Sequence, residues 1–513
     1  MQPNSSRLDL YDTFVARKDA FLARAEQAGR SLDIPADLHG RLGTSGAASA
    51  LPGTIRADVV DAMVRVANSF VSMRTMGDEV RRLVKSVYGD GYDAVATNSC
   101  EAALEIAYDA LLAPPQMGRG ETYRARCIGL LERHAEHHLS YGRPFPPKYK
   151  EVFADRGSTA GELGLGGRRA LNTDVVMVPM AGARYELHGP KMTAAPLLLE
   201  TDAARTIAAV ERAAGVHAAQ LAGFLTLGYD TPGYGYGEKD EAGAPRIQSA
   251  IGAMAAARDV PYVVDNAWGA PFIGSDPRKL GADVMLYSMD KVSGAPTSGL
   301  VIGREGAMVN VRRAIGFHSE RFGTVSSHGK GAHASADPGK LSLAALVHVL
   351  RVLRDDPGRV TDPIDATHAI VQDEYPRWRD RLGPAFVITK SYNLGGVEIN
   401  YERTWADGAL GIAMFTNEDR IAGANMMGLA LAKMGVVLSQ AEDGNIIITP
   451  GLGTVDADGS LIEPRMRMVV RAVFAVLALM REWVAEQQAA PVPGRQAEPA
   501  SGSDGRRDAP ARA

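Results

Sequence analysis

Across residues 91–303 the chain alternates short, continuous apolar runs with longer stretches in which apolar residues recur every three or four positions. Parallel strands are buried on both faces, because the helices that connect them cover the sheet, and they read as continuous rather than alternating apolar runs. The pattern predicts strands at 94–97, 175–178, 224–227, 262–264, 284–287 and 300–302 with helices between them. The expected fold class is therefore α/β, a mostly parallel sheet sandwiched by helices. Upstream, 40–53 is rich in Gly, Ala and Ser and reads as a loop. It leads into a predicted helix on which Val59, Met63, Val66, Phe70 and Val71 share a face and which ends near Gly77. Downstream, 362–482 holds strand-like runs at 411–415 and 446–449 and closes on an apolar helix at 468–483, which predicts a smaller α+β C-terminal domain.

The expected division is an N-terminal helical segment (1–90), a major domain (91–360), a small domain (361–488) and a disordered tail (489–513). Residues 491–513 carry no apolar side chain larger than valine and cannot offset the entropy of ordering. With 513 residues, 46% of them hydrophobic, the rest of the chain is long enough for a full core. A net charge of -4 argues against a general nucleic-acid binder. Two cysteines, Cys100 and Cys127, are too few for a disulfide framework or a Cys/His metal cluster, so no metal site is expected. Residues 1–12 are polar, without a secretory pattern, and the longest apolar run, 472–480, falls well short of the roughly 20 residues that cross a membrane. A cytoplasmic protein is expected.

Candidate chemistry centres on "VPYVVDNAWGAPFIG" and "GADVMLYSMDKVSGAPTSGLVIG". Asp265 follows one apolar strand and Lys291 lies just beyond the next, and ligands of open α/β sheets bind at the carboxyl ends of strands. A carboxylate and an amine in one crevice suit pyridoxal 5'-phosphate: the lysine forms the Schiff base, and the carboxylate keeps the pyridine nitrogen protonated. Asp290-Lys291 also admits a plainer reading, a solvated charge pair. Gly294, Pro296 and Gly299 let backbone approach a bulky group, and Ser288 and Thr297 offer hydroxyl donors to a phosphate. In "YDAVATNSCEAALEIAYDALL" a strand runs through Asn98, Ser99 and Cys100 into a helix, whose N-terminus suits an anion.

These passages resemble pyridoxal-phosphate enzymes of fold type I, the aspartate aminotransferase superfamily, and within it the bacterial selenocysteine synthase branch with its glucosaminate-6-phosphate ammonia-lyase-like members. The resemblance rests on "YSMDKVSGAPTSGLVIG", "GKLSLAALVHVLRVL", "GTSGAASALPGTIRADVVDAMVRVANSFV" and "VATNSCEAALEIA". It implies that Lys291 carries the cofactor and Asp265 faces the pyridine nitrogen. It further implies that Asn98, Ser99, Cys100 and Ser288 surround the phosphate, that Thr297 reaches the phosphate of a neighbouring subunit, and that Ala267 packs beneath the ring with Trp268 beside it. "ERHAEHHLSYG" is similar to the Glu-His pair of cysteine desulfurases, which implies that His137 stacks on the ring; a surface histidine is the alternative. No cysteine follows Cys127, so a desulfurase nucleophile is missing. A lowered pKa at the helix start would make Cys100 reactive, whereas burial would leave it inert.

An arginine commonly grips the substrate carboxylate in this superfamily, since its planar fork binds carboxylate bidentately. Arg465 is the candidate, with Arg467, Arg312, Arg313 and Arg321 as competitors. The segment 113–172 departs from the family pattern, and its Lys148, Tyr149 and Lys150 form either an anion contact or a solvated loop. The branch implies elimination or replacement on an amino acid or amino-sugar acid, by a lyase or a selenium-transferase-like transferase. An aminotransferase shares the opening steps, and a non-catalytic pyridoxal-phosphate-binding protein is a further alternative. The expected partners are a small amino-acid-like substrate and a second copy of the chain in a homodimer or larger homo-oligomer. Neither a membrane nor, without a basic domain, nucleic acid is expected, although local tRNA recognition stays open.

Overall fold

The computed structural model describes residues 16–47, 51–112, 126–130, 174–178, 191–194, 203–234, 236–315, 334–383, 386–401, 404, 412, 426–438, 441–442 and 445–489. Helix α1 (Lys18–Arg30) and strand β1 (Leu42–Gly43) precede α2 (Ala57–Ala67) and α3 (Met73–Tyr88). The single helix expected to end near Gly77 is thus two. Asn68 closes α2, and Ser72 begins α3 by accepting the Thr75 N–H at 3.0 Å. A serine side chain that satisfies a free amide favours a new helix start over continuation. Gly77 is buried within α3, while Phe70 and Val71 lie exposed between the helices.

The main sheet takes its strands in sequence as β2 (Tyr92–Thr97), then α4 (Cys100–Ala107), β3 (Arg126–Leu130), β4 (Asp174–Val178), β5 (Lys191–Ala194), α5 (Ala203–Val216) and β6 (Leu221–Leu227). Next come α6 (Arg246–Ala257), β7 (Tyr262–Asp265), α7 (Pro277–Leu280), β8 (Val284–Ser288), β9 (Gly299–Arg304), α8 (Glu305–Ala314), α9 (Lys340–Asp355) and α10 (Gly358–Leu382). The spatial order is β2-β9-β8-β7-β6-β3-β4-β5. Every pairing is parallel except those of β9, which runs against both β2 and β8. The predicted α/β class is correct, and all six expected strands are present with shifted ends. β3 and β5 escape the pattern because Arg126 and Gly129 interrupt one short run and Lys191 and Thr193 the other.

Side chains alternate between two cores, as the twofold period of a strand requires. Ala94, Tyr262, Val264, Met285 and Tyr287 face Val80, Leu83, Leu346 and Leu350 of α3 and α9. Val95, Val263, Val284 and Leu286 face Ala103, Ile106, Met308 and Val311 of α4 and α8. Each fully buried Val or Leu contributes about 1.5–3 kcal/mol.

Beyond α10 lie β10 (Val387–Ser391), β11 (Gly396–Asn400), α11 (Met426–Lys433), β12 (Val436–Val437), β13 (Ala441–Glu442), β14 (Asn445–Ile448) and α12 (Glu463–Ala489). Four of these strands form an antiparallel sheet in the order β10-β11-β14-β13, while β12 pairs in parallel with β1. Val397, Ile399, Ile446 and Ile448 share a core with Val469, Val473 and Leu477 of α12. The strand expected at 411–415 lies outside the described residues except for Ile412, which is buried and not in a strand; residues 490–513 also lie outside. Among the described residues no helix is long and apolar enough to cross a membrane.

One buried ion cluster fixes the β2 edge. Asp93 is fully buried and accepts from Arg81 Nε of α3 at 2.8 Å and from Arg312 of α8, itself buried. Removing the shared carboxylate leaves buried positive charge uncompensated, which costs about 3–5 kcal/mol. Asp93→Ala is expected to lower the free energy of urea unfolding by about that amount, and an unchanged midpoint would contradict the bridge.

Candidate active site

The carboxyl ends of β2, β6, β7 and β8 and the amino end of β9 share one edge of the sheet, a consequence of their strand directions. Asp265 is the last residue of β7, and its Oδ1 accepts the Ala267 N–H at 3.1 Å. Lys291 sits in the turn that follows β8, with its Nζ 5.8 Å from the centroid of the Trp268 ring. That ring stacks on Tyr229 at 4.6 Å. Asp265 is 5% exposed, Lys291 8% and Asp290 1%, so these charges are not a solvated pair. Ala267 and Trp268 are buried beside them.

Gly299 is the joint that brings the third element in. It is paired with Thr97 on one side and Ser288 on the other, and a side chain there would meet Thr97 Oγ1 at 2.3 Å and the Ser99 carbonyl at 2.4 Å. The start of α4 therefore lies against the turn that carries Lys291. Ser99 caps α4 by accepting the Ala102 N–H at 3.1 Å. Burial pushes the Cys100 thiol well above its usual range; the charge of Asp265 pushes it further, and that of Lys291 pulls it down. Both site charges thus act at the α4 start, and the lowered thiol pKa that a helix start allows is overruled by burial.

The remaining candidates are placed as follows. Asn98 is exposed and donates to the Ser335 carbonyl at 2.9 Å. The buried Ser288 hydroxyl donates to Asp290 Oδ1 at 2.5 Å, whereas the other Asp290 oxygen is buried without a partner among the described residues. Thr297 is exposed. Arg465 donates to the Gly453 carbonyl at 3.1 Å, Arg467 binds Asp373 and Glu374, Arg312 is spent on Asp93, and Arg313 is exposed. His137, Lys148, Tyr149, Lys150 and Arg321 lie outside the described residues.

Two features carried no legible signal. The glycine-rich loop presses its backbone on Lys291: Gly53 N–H donates to the Asp290 carbonyl at 2.6 Å, and a side chain on Gly53 would meet the Lys291 carbonyl at 2.0 Å. Gly46, at φ +83°, approaches the same peptide. Next to this contact, a small cleft is lined by Lys291, Val292, Gly294, Arg56 and Arg359 among others, and Arg465 is not among its lining residues. Density of glycine marks the loop in the sequence, but nothing in it shows what the loop touches.

A buried lysine, a buried carboxylate on the neighbouring parallel strand and a capped helix start at one edge fit pyridoxal phosphate. An unsatisfied Asp290 oxygen beside Lys291 marks the same place as built for polar contact. No protein-family model matches the sequence, and no curated protein matches it either. Among solved structures, an (S)-enantioselective omega-transaminase from Thermomicrobium roseum is similar at 15% identity and a TM-score of 0.49, over 82% of this chain and 84% of that one. A pyridoxamine-pyruvate aminotransferase from Mesorhizobium loti is similar at 13% and 0.45, over 87% and 97%, and the SepCysS–SepCysE N-terminal domain complex at 12% and 0.47, over 87% and 95%. At such identities nothing about substrate or reaction passes from those proteins to this chain.

Burial also pushes Cys127 up, and both thiols are inaccessible. Neither cysteine is expected to react with Ellman's reagent in the native protein at pH 8, and both should react in urea, because only an exposed thiolate attacks. Rapid native labelling of Cys100 would contradict its placement.

Proposed function

We propose that the chain is a pyridoxal 5'-phosphate enzyme of fold type I that acts on an amino acid or amino-sugar acid by elimination or replacement. The observation that carries this reading is the pair Asp265 and Lys291, both buried, at the ends of adjacent parallel strands. When bound, the cofactor supplies an electron sink for charge developing at the substrate's Cα.

The chain's own residues do the rest. Lys291 would hold the cofactor, and its Nζ would take the substrate's Cα proton, the electron pair left at Cα expelling the β-substituent with its bonding pair. The Lys291 Nζ lies 5.8 Å from the centroid of the Trp268 ring, in a largely buried setting. Asp265 fixes a proton on the pyridine nitrogen, and its own orientation is set by the Ala267 N–H. The α4 start, with Asn98, Ser99 and Cys100, would hold the phosphate at its positive dipole end. Ala267, buried beside Asp265, would underlie the ring; His137, the residue the sequence suggests for its other face, lies outside the described residues. Ser288 lies beside them, bonded to Asp290. The selenocysteine synthase branch is the nearest reading of the residues, and a cytoplasmic setting accompanies it.

A second copy of the chain completes the assembly, with Thr297 reaching its phosphate. Supporting this, Val60 and Val64 lie one turn apart on the solvent side of α2, 45% and 66% exposed.

Absorbance spectra of wild type and Lys291→Ala, each mixed with pyridoxal phosphate, test the reading. Wild type is expected to develop a visible-range cofactor band that the variant lacks, and turnover of a panel of amino acids and amino-sugar acids should fall by about 10²–10⁴-fold in the variant. Keto-acid release with the cofactor left in its aldehyde form supports elimination, conversion to the amine form contradicts it, and absence of any band in wild type contradicts the whole reading.

A further inference from the structure

A second cleft, of about 230 Å³, opens where loops of the two sheets meet. Its walls come from the segment beyond β6 (230–245), the segment beyond β7 (273–280) and the end of β10 with the turn that follows it (390–393). It shares no lining residue with the cleft at Lys291. A single water needs only roughly 10–15 Å³, so the space suits a small molecule.

Donors outnumber free acceptors along these walls. Three ammonium groups, Lys239, Lys279 and Lys390, share them with two carboxylates, Asp230 and Asp276. Both carboxylates are engaged already. Asp230 Oδ2 takes Lys239 Nζ at 2.6 Å and its Oδ1 the Ser391 hydroxyl, while Asp276 accepts the Arg278 N–H at 2.8 Å and Arg278 Nη2 at 2.6 Å. Lys390 is neutralised from outside the cleft by Asp365 at 2.7 Å, which also accepts from the Tyr392 hydroxyl at 2.8 Å. Burial and the charge of Lys390 push the neighbouring His368 imidazole down, so it adds no charge at neutral pH. In the adjoining turn Asp240 takes the Ala242 and Ala244 N–H groups, and Glu238 pairs with Arg246. Lys279 is the cation left over: its Nζ makes no ion pair or hydrogen bond among the described residues, and its charge reaches only as far as Asp276, which Arg278 already neutralises. The Ser275 hydroxyl accepts from Asn393 Nδ2 at 2.9 Å and still has its own hydrogen to donate.

Two of the walls continue into the candidate active site. Asn393 Oδ1 accepts from the Ser275 N–H at 2.8 Å and from Asn266 Nδ2 at 3.1 Å, and Asn266 directly follows Asp265. Asp230 directly follows Tyr229, whose ring stacks on Trp268. The backbone between is strained: Phe272, next to Ile273 of the cleft, sits at φ +73°, where a bulky side chain is disfavoured, and the Tyr88 hydroxyl accepts its N–H at 3.2 Å. We propose that this cleft binds a small oxyanion of the phosphate class through Lys279 Nζ and the Ser275 hydroxyl, and that its occupancy steadies the 266–276 segment against the β10–β11 turn. Lysine binds phosphate as a point charge. No arginine lines the cleft among the described residues, so the planar fork that favours a carboxylate is missing. The site is separate from the one proposed for the cofactor and needs no cofactor in place.

Calorimetric titration of inorganic phosphate into the full-length chain, in buffer free of phosphate and sulfate, tests the site, with far-ultraviolet dichroism recorded for each variant. Wild type should bind phosphate saturably. Lys279→Gln should bind roughly 10- to 100-fold more weakly, the worth of a charged hydrogen bond, and Ser275→Ala roughly 2- to 10-fold more weakly. Lys433→Gln, which removes an exposed lysine elsewhere, should match wild type, and Ser99→Ala, at the α4 start, should retain the Lys279-dependent binding. No saturable binding by wild type, or equal binding by wild type and both cleft variants, overturns the site. An equal loss in Lys433→Gln overturns it too, because the attraction is then general. Weaker binding by Ser99→Ala with Lys279→Gln unchanged would place the anion at the α4 start and overturn the assignment. Hydrogen exchange read by mass spectrometry tests the coupling: phosphate should slow exchange in peptides covering 266–276 and 387–396 severalfold in wild type and not in Lys279→Gln. Bound phosphate with unchanged exchange in both peptides overturns the coupling.

Discussion

The Gly53 amide and the Asp290 carbonyl meet at 2.6 Å, and that contact ties the glycine-rich loop to the turn that carries Lys291. The turn after β8 is closed by its own backbone bonds, from the Met289 N–H to the Ser298 carbonyl at 2.9 Å and from the Ala295 N–H to the Met289 carbonyl at 2.8 Å. A loop from the N-terminal side packs on it as well, backbone on backbone, where a side chain on Gly53 would meet the Lys291 carbonyl at 2.0 Å. Gly299 plays the same part from the other side, where the α4 start lies against the first residue of β9. Glycine backbone thus bears on the Lys291 turn from both sides.

The second sheet is coupled to this edge by buried polar groups. Asn393, between β10 and β11, accepts from Asn266 Nδ2 at 3.1 Å and from the Ser275 N–H at 2.8 Å. Asn266 directly follows Asp265. Glu398, fully buried in β11, accepts from Thr231 Oγ1 at 3.0 Å, the Gly233 N–H at 3.1 Å and Asn445 Nδ2 at 2.8 Å. Thr231 and Gly233 lie in the loop beyond β6, next to the Tyr229 that stacks on Trp268. Polar groups buried this fully specify a single arrangement, because any shift leaves them unsatisfied.

What the sequence made legible follows from burial on both faces. β6, β7 and β8 read as unbroken apolar runs, and their ends located Asp265 and Lys291. Where local pattern and tertiary demand disagree, the reading fell short. β11 is obscured by Glu398, a carboxylate in the middle of a buried strand, and β10 by its half-exposed "VITKS". The stripe from Val59 to Val71 suggested one helix because periodicity does not register the cap that Ser72 provides. Arg56 at a helix start looks like a surface residue. Only the fold shows it buried, with Asp58 shared among Arg56, Arg359 and His348.

Lys291 is the lysine proposed to hold pyridoxal phosphate, ahead of the other lysines among the described residues. Borohydride reduction of the cofactor-loaded protein, followed by peptide mass mapping, tests it most directly. The account predicts a cofactor-derived mass increase on the peptide that contains Lys291 and on no other. Labelling at a different lysine, such as Lys279 or Lys390, or no labelled peptide at all, would contradict it.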